Sequence, residues 1–85
     1  MELQQLRFFA AVAEKKSFTA AAKKLFVSHS TVSRAVSALE AELGVRLVER
    51  SNAVAGLTEA GEHMYKRACE LLTLADEIEN EMRNI

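Results

Sequence analysis

Between Ser28 and Ser37 the chain sets Ser28, His29, Ser30, Thr31, Ser33, Arg34 and Ser37 on what reads as one side of a helix. These are short hydrogen-bonding side chains joined by one imidazole and one guanidinium. Val32, Ala35, Val36, Leu39 and Leu43 recur at three- and four-residue steps and claim the opposite side for a core. The polar side is nearly free of acid until Glu40. Short donors and acceptors let a helix backbone approach base edges in the major groove of duplex DNA, whereas a merely solvated helix face usually carries longer charged side chains. A solvated serine-rich face is the competing explanation. Against it, five Ser or Thr in the ten residues from Ser28 to Ser37 lower helix propensity with no evident structural return.

No other constellation offers chemistry. His29 and His63 fall on separate predicted helices with no neighbouring cysteine or paired carboxylates at ligand spacing, and there is no glycine-rich phosphate loop. No catalytic residue, metal or cofactor is therefore expected, and the chain does not read as an enzyme. Cys69 is the single cysteine, so an internal disulfide is excluded; it reads as a half-buried thiol in a reducing compartment.

The elements that position the polar helix follow from periodicity and caps. Leu3, Leu6, Phe9, Ala10 and Ala13 predict an amphipathic helix from Leu3 to about Lys16. Ser17 ends it and caps a short second helix, Phe18 to Leu25, whose alanines are small enough for close helix packing. Phe26-Val27 is a tight link, Ser28 caps the third helix, and Gly44 closes it in a left-handed conformation. A short apolar helix, a tight turn and a polar-faced helix in this order form a helix-turn-helix. Val45, Leu47 and Val48 then predict a short strand, Ser51 to Ala55 a turn, and Gly56-Leu57 a returning strand, together a wing.

Thr58 caps a last helix with Glu59 and Glu62 at its positive end, free to run to the terminus. Within it Met64, Ala68, Leu71, Ala75, Ile78, Met82 and Ile85 are spaced 4, 3, 4, 3, 4 and 3 residues apart, an unbroken heptad seam. The seam predicts a two-stranded coiled coil and a dimer, with Tyr65, Cys69 and Leu72 widening its first half; the orientation of the paired helices is open. The alternative, a stripe that folds back on its own domain, would leave Ile78, Met82 and Ile85 in water.

At 85 residues the chain fits one small domain, near the size at which a partner subunit supplies missing burial. No apolar run approaches the roughly 18 residues of a membrane span, and the N-terminus lacks a signal core, so a cytoplasmic location without membrane contact is expected. The net charge of −1 lacks the basic balance of a strong DNA binder. Its distribution matters more. Residues 1–50 carry eight basic against five acidic residues, net +3; residues 51–85 carry three against seven, net −4. The first part is suited to phosphates, the second to water or protein.

These residues resemble the N-terminal DNA-binding domain, with its linker helix, of the LysR-type transcriptional regulators. The resemblance runs through Leu6-Arg-Phe-Phe, Ser17-Phe-Thr, Ala21-Ala, Val27-Ser28, Ser33-Arg34, Leu39-Glu40, Glu42-Leu-Gly-Val-Arg-Leu47, Glu49-Arg50 and Leu57-Thr-Glu-Ala-Gly61. It implies a mainly helical fold: a winged helix-turn-helix over residues 1–58 and a dimerising linker helix over residues 59–85. It also implies that residues 28–43 read the major groove of an interrupted inverted repeat, with tetramers in full-length regulators. Position by position, Ser28, His29, Ser30, Thr31, Ser33, Arg34 and Ser37 fall on the recognition helix, Ser17 and Thr19 where the second helix meets phosphate, and Arg50 and Asn52 at the wing. Arg34 suits a phosphate or a guanine edge, His29 a purine acceptor, and the Thr31 methyl a thymine methyl.

Three departures stand out. His29-Ser30 replaces the Gln-Pro of many relatives, so a different base preference is expected at the helix start. Asn52 to Gly56 lacks the arginines common in the wing. The effector-binding domain is absent, so an excised domain of a longer regulator is favoured over a natural short form. The other function that remains open is a heterodimerising module with weakened DNA affinity.

Overall fold

The computed structural model describes residues 1–50 and 54–85. Its elements are α1 (Leu3–Lys15), α2 (Phe18–Leu25), α3 (His29–Leu43), β1 (Val48–Glu49), β2 (Gly56–Leu57) and α4 (Glu59–Arg83). Caps set most of the boundaries. The Ser17 and Ser28 hydroxyls accept the backbone N–H groups of Ala20 and Thr31 at 3.1 and 3.2 Å, and the Thr58 hydroxyl accepts that of Gly61 at 3.0 Å. Lys16, Phe26 and Gly44 close α1, α2 and α3 in left-handed conformations. Each cap satisfies donors or acceptors that a helix end leaves open.

α1, α2 and α3 pack around Leu6, Phe9, Val12, Ala21, Val32, Val36 and Leu39, all at most 1% exposed. The small Ala21 and Ala22 let α2 sit close to its neighbours. Leu47 and Val48 extend this core into the wing, where β1 and β2 pair antiparallel with Val48 opposite Leu57 and Glu49 opposite Gly56. The polar and apolar sides of α3 divide as its spacing predicts, with two changes. Leu43 is 40% exposed, in the last turn before Gly44, while Glu40 is buried at 6%.

α4 begins as part of the same core. The Thr58 N–H donates to the Leu47 carbonyl at 3.1 Å and the Thr58 hydroxyl to the Arg46 carbonyl at 2.7 Å. Beside them Gly61 lies so close to Leu47 that a Cβ would overlap the carbonyl oxygen. Ala68 is 1% exposed, and Met64, Tyr65 and Leu72 pack against the core. A 3.1 Å ion pair, Arg7 to Asp76, fastens the middle of α4 to α1. Beyond it the helix projects, giving the molecule a long dimension of 47 Å against 25 and 19 Å.

The packing of α4 divides the heptad seam. Ala68 has its contacts inside the protomer, and Met64 is partly committed there, because the N-terminal half of α4 lies on the core. The stripe open to another chain is Leu71, Ile78, Met82 and Ile85, at 39%, 48%, 59% and 97% exposure, with Leu74 beside it at 53%. Cys69 is exposed rather than half-buried.

Gly61→Ala is expected to destabilise the fold by about 2 kcal/mol or more, as overpacking against immovable backbone does, and urea denaturation measures it. A second expectation concerns Glu14, whose carboxyl is held below its ordinary 4.5 by the hydrogen bond and charge of Lys24, 2.8 Å away. A lowered carboxylate pKa adds stability above the unfolded value that is lost as pH falls through the folded one. The difference in urea midpoint between the native chain and Lys24→Ala should therefore be present at pH 7 and shrink progressively below pH 4.5.

Candidate nucleic-acid interface

The first turn of α3 is built around its cap. The Ser28 hydroxyl, besides accepting the Thr31 N–H, lies 3.2 Å from Ser30 Oγ and 2.8 Å from Thr31 Oγ1. The three hydroxyls form a local cluster at the positive end of the helix, with Ser28 and Ser30 exposed and Thr31 half-buried. His29, Arg34 and Ser37 are exposed along the same helix, and Ser33 is half-buried. With Val32, Val36 and Leu39 sealed in the core, the polar side of α3 stands open over its first three turns.

The tertiary fold brings residues from three elements to this end of α3. Ser17, Phe18 and Thr19 from the start of α2, His29 and Ser33 from α3, and Arg50 and Ala55 from the two sides of the wing line a surface recess of about 260 Å³. The Phe18 and His29 rings stand 5.8 Å apart with planes tilted by 48°. Of the expected contact residues, Ser17, Thr19, His29, Ser33 and Arg50 thus share one recess, and Arg34 and Ser37 continue along the helix. Asn52 lies outside the described residues.

Arg50 occupies this site in a different manner from a free phosphate ligand. Its Nη1 donates to Glu40 Oε1 at 3.1 Å, and its guanidinium carbon stands 5.0 Å from the Phe18 ring centroid. Arg50 Nε and Nη2 are buried and have no hydrogen-bond partner among the described residues. The ring face supplies their electrostatic compensation. Glu40 in turn accepts the backbone N–H groups of Leu47 and Val48 on Oε2 at 2.8 and 3.1 Å, with Arg46 Nε 3.7 Å away. One carboxylate therefore joins α3 to β1 and orients Arg50.

Neither Glu40 nor Phe18 stands out from the sequence as a site residue. The signal for Glu40 is its position four residues after Val36, which is itself four after Val32, on the buried stripe. An acid at a core position requires partners.

A polar helix face opposite a sealed core, capped at its start by hydroxyls and flanked by a two-stranded wing, defines a winged helix-turn-helix domain of the DNA-binding class. Among the described residues no group of three or more His, Cys, Asp or Glu is placed to hold a metal ion, and no helix is long and apolar enough to cross a membrane. Residues 3–62 match the family described as bacterial regulatory helix-turn-helix protein, lysR family, and the chain belongs to that family.

It is similar to the HTH-type transcriptional regulator BudR of Klebsiella aerogenes, 44% identical over 85 residues, which are 100% of this chain and 59% of that protein. It is 42% identical over 78 residues to the HTH-type transcriptional regulator BenM of Acinetobacter baylyi, covering 92% of this chain and 26% of the relative. Among solved structures, the BenM DBD in complex with catB site 1 DNA superposes with a TM-score of 0.96 at 40% identity, covering 100% of this chain and 94% of that one. The CbnR DBD–DNA complex superposes with a TM-score of 0.91 at 44% identity, covering 99% and 97%.

Glu40→Ala is expected to cost about 3 kcal/mol, since it leaves two backbone donors and the Arg50 guanidinium without their shared acceptor; denaturant titration measures it.

Proposed function

We propose that this chain is the DNA-reading unit of a transcriptional regulator that acts in the cytoplasm. Residues 1–58 form the reading head and residues 59–85 the linker helix that pairs with a second copy. The observation that carries the reading is the open polar side of α3, with Arg34 exposed and His29 and Ser33 gathered with Ser17 and Thr19 around one recess. In this reading α3 enters the major groove, Ser17 and Thr19 meet the phosphate backbone, and each bidentate or well-matched base contact contributes about 1–3 kcal/mol of discrimination. No catalysis is assigned to the chain.

The exposed stripe Leu71, Leu74, Ile78, Met82 and Ile85 supports the dimer. Such a row of apolar side chains at three- and four-residue steps on a projecting helix gains burial when it meets its equivalent on a second chain. Two reading heads joined in this way would require two half-sites at fixed separation, hence an inverted repeat. The same stripe and the acidic balance of residues 51–85 also favour a second reading, a module that pairs with other chains and binds DNA weakly.

Selection of duplexes from a random pool at near-physiological salt separates the two. Enrichment of an interrupted inverted repeat is the outcome expected of a dimeric reader, and no enrichment would leave the pairing module. Arg34→Ala should lower affinity for the selected duplex at least tenfold with an unchanged melting temperature. Leu71→Lys combined with Ile78→Lys should yield monomers by light scattering and much weaker binding, because each half-site is then bound alone.

A further inference from the structure

We propose that Arg50 is a positioning residue for base recognition, acting through Phe18 on His29, and that it is not a phosphate contact. The proposal rests on the DNA-reading function above and deepens it. Four contacts run in series across three elements. Glu40 of α3 holds β1 by the Leu47 and Val48 N–H groups and holds Arg50 at 3.1 Å. Arg50 lies against the Phe18 ring of α2, and the Phe18 ring stands beside the imidazole of His29, the first residue of α3.

A phosphate contact requires N–H groups turned to solvent. Two of the three guanidinium nitrogens of Arg50 are buried and the third is engaged with Glu40, so that, with 28% of the side chain exposed, most of the fork is turned toward the protein. The exposed Arg34 presents the opposite arrangement. The planar guanidinium is suited to the inward task, because it donates to a carboxylate at its edge while its face covers an aromatic ring. Set in this way, Phe18 gives His29 a wall on the recess side and limits the directions in which its ring nitrogens can meet a base. The wing's contribution to specificity is then mechanical: its strand is tied to the same carboxylate that fixes the Arg50–Phe18–His29 row.

Arg50→Lys distinguishes the two roles, since a lysine serves a phosphate as a point charge but cannot cover the ring and meet the carboxylate in one plane. Random-duplex selection on the native chain and on His29→Ala first identifies the base position that His29 governs. If the native chain enriches nothing, the DNA-reading function itself fails. Given enrichment, Arg50→Lys and Glu40→Gln are expected to lose about tenfold of discrimination at the His29 position while keeping the preference at the position governed by Arg34. Arg50→Met should keep the salt dependence of binding, whereas removal of a phosphate contact lowers its logarithmic slope by about one. Unaltered base preference in Arg50→Lys overturns the proposal, as does a slope reduced by one in Arg50→Met. Should Arg50→Met fail to fold, as a circular-dichroism melt would show, the Arg50→Lys selection decides alone.

Discussion

The buried carboxylate of Glu40 is the point on which the arrangement of the reading surface depends. Ionised groups are rarely buried unless they are paired and hydrogen-bonded. Here the backbone N–H groups of Leu47 and Val48 and the guanidinium of Arg50 are the partners. These bonds form only when α3, the start of β1 and the end of the hairpin's first arm are in register, so the electrostatic requirement becomes a geometric one. Glu40 consequently ties α3 to β1, and the start of α2 joins them through the contact of Phe18 with Arg50.

A second constraint governs the linker helix. Gly61 brings the first turn of α4 against the Leu47 backbone, Thr58 bonds to both Arg46 and Leu47, and Ala68 closes over the core. Leu47 thus stands between the two constraints, donating its N–H to Glu40 and accepting from Thr58 on its carbonyl. The direction in which α4 leaves the head is set at this residue and reinforced at Arg7 and Asp76. In a dimer formed through the outer half of α4, that direction fixes the separation of the two recognition helices.

Exposure along α4 changes in step with these anchors. Up to Leu72 its inward residues serve the protomer; past Asp76 the apolar positions Ile78, Met82 and Ile85 are exposed. An isolated helical extension gains little from its own propensity, and its apolar stripe is the natural place for stabilisation by association. The wing is similarly economical in charge, since one of its arginines, Arg50, is turned inward to the carboxylate.

Local chemistry was readable from the residues alone. Ser17, Ser28 and Thr58 are N-caps, Gly44 is a left-handed cap, and the three- and four-residue spacing of Val32, Val36 and Leu39 buries the side of α3 opposite its polar row, because each of these depends only on neighbours in the chain. The family was equally legible, through many short motifs in fixed order. What the sequence left undecided are matters of contact between distant elements. A heptad seam has the same spacing whether it meets its own core or another chain, and only the packing of α4 placed Ala68 against its own core and left Ile78 and Met82 exposed. Likewise nothing in the spacing of Glu40 and Arg50 paired them until the fold brought them within 3.1 Å, with Glu40 buried. Periodicity specifies which side of a helix is buried; the partner of a buried charge is fixed only when three elements close around it.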